Sequence, residues 1–105
     1  MVKIPDKIKT IIEKYLVLLN DNNIQLRNAY LFGSYAKGNF NEWSDIDIAL
    51  ISDTFEGIRI KDRDKIRGIT LSVSSNIEVL PFNSKDFSLE NPLAKEIIET
   101  GIRLV

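Results

Sequence analysis

Helix and strand signals alternate along this sequence, and that alternation predicts an α/β (α+β) fold, a small mixed β-sheet with helices packed against it. Two further observations support this class. Hydrophobic residues make up 44% of the 105-residue chain, enough for a real core. The run from Ile46 to Ile51 is almost continuously apolar and β-branched, the pattern of a strand covered on both faces.

The first element is a helix from about Asp6 to Asn20. Ile8, Ile11, Ile12, Tyr15, Leu16 and Leu19 recur at helical spacing, with Lys7, Lys9, Glu13 and Lys14 opposite them. Tyr15, on the apolar side, is expected to pack. Turn formers at Asn20 to Asn23 end the helix. A strand follows from about Arg27 to Phe32, with Tyr30 and Phe32 in core or half-core positions, and Gly33 stops it. The apolar run from Ile46 is the second strand, and Trp43, just before it, is expected to cover the core beside the loop. A charged helix then runs from about Ile60 to Val73, with Ile66, Ile69 and Val73 on one face. Its segment RIKDRDKIR (59–67) reads as a solvated face with local Asp–Lys and Asp–Arg pairs, in preference to an RNA-binding surface. NIEVLPF (76–82) is a third strand, closed by Pro81. In ENPLAKEIIETG, Asn91 is placed to cap a last helix, Pro92 to open it and Gly101 to terminate it, and IRLV adds a short final strand. No repeat, low-complexity tract or long linker interrupts residues 1–105, so one domain is expected.

Composition narrows the chemistry. The chain has no Cys, hence no disulfide, thiolate nucleophile or thiolate metal site. It also has no His, which removes the Ser–His triad, His-based zinc sites and the commonest general base. Any catalysis must run on carboxylates, hydroxyls, Lys or Arg. A net charge of −1 does not advertise nucleic-acid binding. No apolar run approaches the roughly 20 residues that cross a bilayer, and the N-terminal stretch mixes charges into its apolar positions, unlike a signal peptide. These features fit a cytoplasmic protein.

The residues that can carry chemistry gather in FGSYAKGNFNEWSDIDIALIS, from Phe32 to Ser52. Gly33 directly after a strand permits a tight turn and close approach to a ligand. A short helix starting at Ser34 would present free N–H groups and a hydroxyl to an anion, and Gly38 would leave the far end of the turn uncluttered. Taken alone, Gly-Ser reads far more readily as an ordinary strand-to-helix turn with Ser34 as its cap. Asp45 and Asp47, two apart on a strand, would project to one face about 6.5–7 Å apart at the Cα level, with Ile46 and Ile48 turned into the core. Paired carboxylates beside an apolar sheet repel unless a cation sits between them, and oxygen-only ligation suits Mg²⁺ or Mn²⁺. The alternative is an Asp45 in a turn and an Asp47 facing solvent. Bracketing two metals needs a third carboxylate, and Glu78, a charge in mid-strand, is the candidate.

Gly33-Ser34, ten residues and then Asp45-Ile46-Asp47 resemble the signature of the nucleotidyltransferase superfamily related to DNA polymerase β. Ser44 before the first Asp and the hydrophobics after the second agree with that pattern. So do the strand before it, a third acidic strand and the ending PLAKEIIETGIRLV. The whole chain resembles the minimal nucleotidyltransferases, short members often paired with an all-helical HEPN-type protein as toxin and antitoxin. The resemblance implies the polymerase β-like fold and a site in which Gly33, Ser34, Lys37, Gly38 and Ser44 hold a nucleotide triphosphate. Asp45, Asp47 and Glu78 would bind Mg²⁺, two ions with Mn²⁺ as a possible substitute, and serve as the catalytic carboxylates. The implied reaction moves AMP from ATP, or another monophosphate from its triphosphate, to a hydroxyl. Larger relatives append an acceptor-binding domain, so here the acceptor is expected on a HEPN-type partner, the chain acting as antitoxin. Two positions depart from the pattern: many relatives have Arg in the turn occupied by Tyr35 and Lys37, and the third acid is more commonly Asp. Those departures favour an alternative, a catalytically weak module that neutralises its partner by contact.

Overall fold

The structure, a computed structural model, describes residues 4–105, so the first three residues of the N-terminal stretch lie outside it. Its elements run α1 (Asp6–Asp21), β1 (Asn28–Phe32), α2 (Ser34–Lys37), β2 (Ile46–Ile51), α3 (Arg59–Val73), β3 (Ile77–Phe82), α4 (Pro92–Thr100) and β4 (Ile102–Arg103). The strands form one mixed sheet in the order β3-β2-β1-β4. β1 is antiparallel to both β2 and β4, whereas β2 and β3 are parallel. A parallel neighbour cannot be reached by a hairpin, and α3 is the crossover that joins the two.

Strand periodicity divides the side chains between two layers. Ala29, Leu31, Ile46, Ile48, Leu50, Ile77 and Val79 form one core with α1 residues Ile8, Ile12, Tyr15 and Leu19 and with Ile66 of α3. Ala49, Ile51 and Phe82 face the other way, against Ala94 and Ile97 of α4, with Tyr30, Phe32 and Phe87 packed around them. Every β2 residue except Asp47 is therefore buried, which accounts for the unbroken apolar run. Tyr15 is completely buried and ties α1 to α3 through a 2.6 Å hydrogen bond between its hydroxyl and Thr70 Oγ1.

The last helix starts as anticipated, with Asn91 Oδ1 accepting from the Leu93 and Ala94 N–H groups and Pro92 in the first turn. Gly101 ends it with φ −81° and ψ 169°, an extended conformation open to any residue. Space is what requires glycine there, since a Cβ would lie 2.5 Å from the Ile97 carbonyl oxygen and 3.1 Å from that of Leu31.

Three expectations are corrected. Pro81 lies inside β3, opposite Leu50, and is tolerated because β3 is a sheet edge. Trp43 does not cover the core: it is 86% exposed. The charged start of α3 is not held by local Asp–Lys and Asp–Arg pairs. Asp62 is buried and its two oxygens accept from the Glu56 and Gly57 N–H groups at 2.8 and 2.9 Å, fastening the loop that enters the helix. Its neighbour Arg63 reaches instead to Glu78 on β3.

Candidate active site

The site is built at one end of the sheet, where β1 leaves and β2 enters. At Gly33 the backbone turns with φ 72° and ψ −149°, a region essentially reserved for glycine. The single turn of α2 follows, and Tyr35 and Ala36 turn inward to be buried. Tyr35 stacks on Phe40 with ring centroids 4.7 Å apart, which anchors the turn from beneath. Gly38 closes α2 in the left-handed region at φ 80°, its N–H donating to the Ser34 carbonyl. The first N–H groups of so short a helix have no intrahelical acceptor and, with the Ser34 hydroxyl, are available to an anion.

The loop onward to β2 is braced by its own polar groups. Asn41 N–H donates to Ser44 Oγ at 2.9 Å, and Trp43 N–H donates to Asn41 Oδ1 at 2.8 Å. Ser44 thereby helps deliver Asp45 to the start of β2. Asp45 is exposed and Asp47 half-buried.

Asp47 is the centre of the arrangement. In register it lies between Phe32 on β1 and Glu78 on β3. Its carboxylate rests where a side chain of Gly33 would be, because a Cβ there would collide with Asp47 Oδ2. Turn and acid thus occupy the two halves of one surface. Burial raises the Asp47 carboxyl above its ordinary 3.8, and the charges of Asp45 and then Glu78 push it further up. Asp45 and Glu78 thus both act on Asp47 through their charges.

They are not closed around a common point. Among the described residues, no three His, Cys, Asp or Glu side chains form a ready-made metal cluster. Glu78 is exposed, and its Oε2 accepts from Arg63 Nη2 at 3.2 Å. Lys37 is also exposed, with Nζ 4.0 Å from Glu96 Oε1 on α4. The donor set still fits a hard divalent cation. It is all oxygen, it is mutually repulsive, and its central carboxylate sits in a cradle that only glycine leaves open. Arg63 is the member of this neighbourhood that sequence reasoning did not find. The only available signal was the unexplained charge at Glu78 itself.

This fold and this site define a nucleotidyltransferase. The family described as "Polymerase beta, Nucleotidyltransferase" matches residues 6–105, and the chain belongs to it. Within that family its similarities run to MntA proteins. It is similar to "Protein adenylyltransferase MntA" of Shewanella oneidensis, 48% identical over 46 residues, or 43% of this chain and 33% of that protein. The match therefore spans about a third of that relative's length. Among solved structures, it resembles a toxin–antitoxin with AMP-PNP at 32% identity and a TM-score of 0.58, covering 89% of this chain and 71% of that one. A mutant of the toxin–antitoxin MntA–HpeT is similar at 29% identity and a TM-score of 0.57, over the same shares. A structure from Sulfolobus solfataricus, 18% identical with a TM-score of 0.54 over 98% of this chain and 89% of that one, shares the fold.

Proposed function

We propose that the chain transfers a nucleoside monophosphate, AMP from ATP, to a hydroxyl on a protein partner of HEPN type, as the antitoxin of a toxin–antitoxin pair in the cytoplasm. The hydroxyl oxygen bonds to the α-phosphorus, pyrophosphate leaves and the hydroxyl proton passes to solvent. The observation that carries this reading is the seat of the Asp47 carboxylate on Gly33, which makes the phosphate-binding turn and the acidic strand one site. The similarity to an adenylyltransferase and to a toxin–antitoxin with AMP-PNP supports the choice of nucleotide and of a protein acceptor.

In this reading the Ser34 hydroxyl and the α2 N–H groups donate to phosphate oxygens, while Gly33 and Gly38 let the backbone come close. Lys37, held loosely by Glu96, contributes a point charge to the triphosphate. Ser44 keeps its loop in place. Asp45, Asp47 and Glu78 would hold Mg²⁺, two ions, or Mn²⁺ in its stead. When bound, such cations neutralise phosphate charge and acidify the acceptor hydroxyl, so the chemistry requires no His base. A second reading, contact-only neutralisation of the partner, is favoured by one observation: Glu78 is engaged by Arg63 and not by the two Asp residues.

Intact-mass measurement on the chain incubated with a HEPN-type partner and Mg-ATP separates the two. Transfer predicts that the partner gains one or more AMP masses, and that Asp45→Asn abolishes the gain. A partner that is neutralised with unchanged mass establishes the contact reading and overturns transfer.

A further inference from the structure

Glu78 is in register beside Asp47 on the parallel strand next to it, and adjacent strands lie only about 4.8 Å apart. The backbone thus presents the third acid to Asp47, yet its carboxylate is paired with a residue of α3. Arg63, from the first half of α3, comes round the open edge of β3 and holds Glu78 Oε2 at 3.2 Å. A carboxylate that accepts from a guanidinium has its charge partly neutralised and its side chain held toward α3, which makes it a poorer ligand for a cation beside the aspartates. We propose that Arg63 is a positioning residue that parks Glu78 away from Asp45 and Asp47, so that the third acid joins the set only when the arriving cation and nucleotide displace it. The proposal rests on the metal-dependent reading of the site given above.

Two features make this a latch and not a block. Both side chains are about half exposed, 47% for Arg63 and 56% for Glu78, and exposed ion pairs move an equilibrium by only about 1.5- to 5-fold. A cation held by several carboxylates and a triphosphate outcompetes that. Length matters as well. A glutamate has one more methylene than an aspartate, which lets the same carboxylate reach out to α3 or back toward Asp47. The departure from the commoner Asp thereby acquires a physical purpose.

Mn²⁺ titration of the full chain in the presence of AMP-PNP, read from the paramagnetic resonance of free Mn²⁺, tests the latch without requiring turnover. Arg63→Gln is expected to bind Mn²⁺ about 1.5- to 5-fold more tightly than the wild type. Arg67 lines the same groove between α3 and β3 and forms no ion pair among the described residues, so Arg67→Gln removes equal charge and is expected to leave the affinity nearly unchanged. In a Glu78→Gln background, Arg63→Gln should have no further effect. Unchanged or weaker binding in Arg63→Gln, an equal gain in Arg67→Gln, or a gain that survives Glu78→Gln would each overturn the latch. If Asp45→Asn abolishes Mn²⁺ binding while Arg63→Gln leaves it unmoved, the latch alone falls. If the wild type with AMP-PNP binds no Mn²⁺, the proposed function falls with it.

Discussion

Gly33 meets two demands at once, a backbone conformation closed to other residues and an empty space that Asp47 fills. Gly33→Ala should cost about 1–3 kcal/mol from the backbone alone. Thermal melting should show it as a lower Tm, and nucleotide binding should weaken because Asp47 is displaced. The raised Asp47 carboxyl gives a second expectation, in the metal-free protein. The native state holds that proton more tightly than the unfolded chain. Folding therefore carries no Asp47 penalty below the ordinary 3.8, acquires it as pH rises through the raised native value, and bears it fully above. Asp47→Asn should accordingly melt above the wild type at neutral pH, with the advantage fading toward pH 3.8; a lower Tm at neutral pH would contradict this. At this scale the turn at Gly33 is legible as a glycine directly after a strand, and the placing of Asp47 away from the Ile46–Ile48 core follows from the strand's period of two. Trp43 was misread because apolarity argues for burial, whereas the Asn41 and Ser44 hydrogen bonds set the loop's course.

At the scale of elements, periodicity and caps made the helices and strands readable, while long-range fastenings were not. Asn91 belongs to the first group, since its capping geometry is local in sequence. Asn91→Ala should cost about 1 kcal/mol and lower the Tm by about 4–8 °C. Asp62 belongs to the second. A charged residue in a charged segment gives no sign that it is buried, and its acceptor role depends on the path of the preceding loop. Asp62→Ala leaves two donors without a partner and should cost about 1–3 kcal/mol or more in denaturant unfolding. A loss below about 0.5 kcal/mol would show that water replaces the carboxylate. Because Asp62 fixes the start of α3, the same change should also loosen the contact between Arg63 and Glu78.

For the molecule as a whole, the alternation of elements announced the class, but strand order was not written in any one segment. That Asp47 and Glu78 are neighbours depends on β3 pairing parallel to β2 after the α3 crossover, a pairing decided by how the helices cover the two faces. The acids therefore come from two strands brought together only by the completed fold, and ligand binding should feed back on global stability. Mg²⁺ with AMP-PNP at a hundredfold excess over Kd should add about 2.7 kcal/mol to unfolding. Calorimetric melting should show that gain in the wild type and lose it in Asp45→Asn; an undiminished gain in the variant would place the nucleotide elsewhere.

Trp43, 86% exposed and two residues before Asp45, is the chain's only tryptophan. Its indole is already in water when the protein is native, so emission colour will scarcely register unfolding. The same residue lies in the loop that leads into Asp45, so nucleotide binding can be sought as a change in its emission intensity. The molecule carries a fluorophore nearly blind to its own denaturation and close in sequence to the acids of the proposed site.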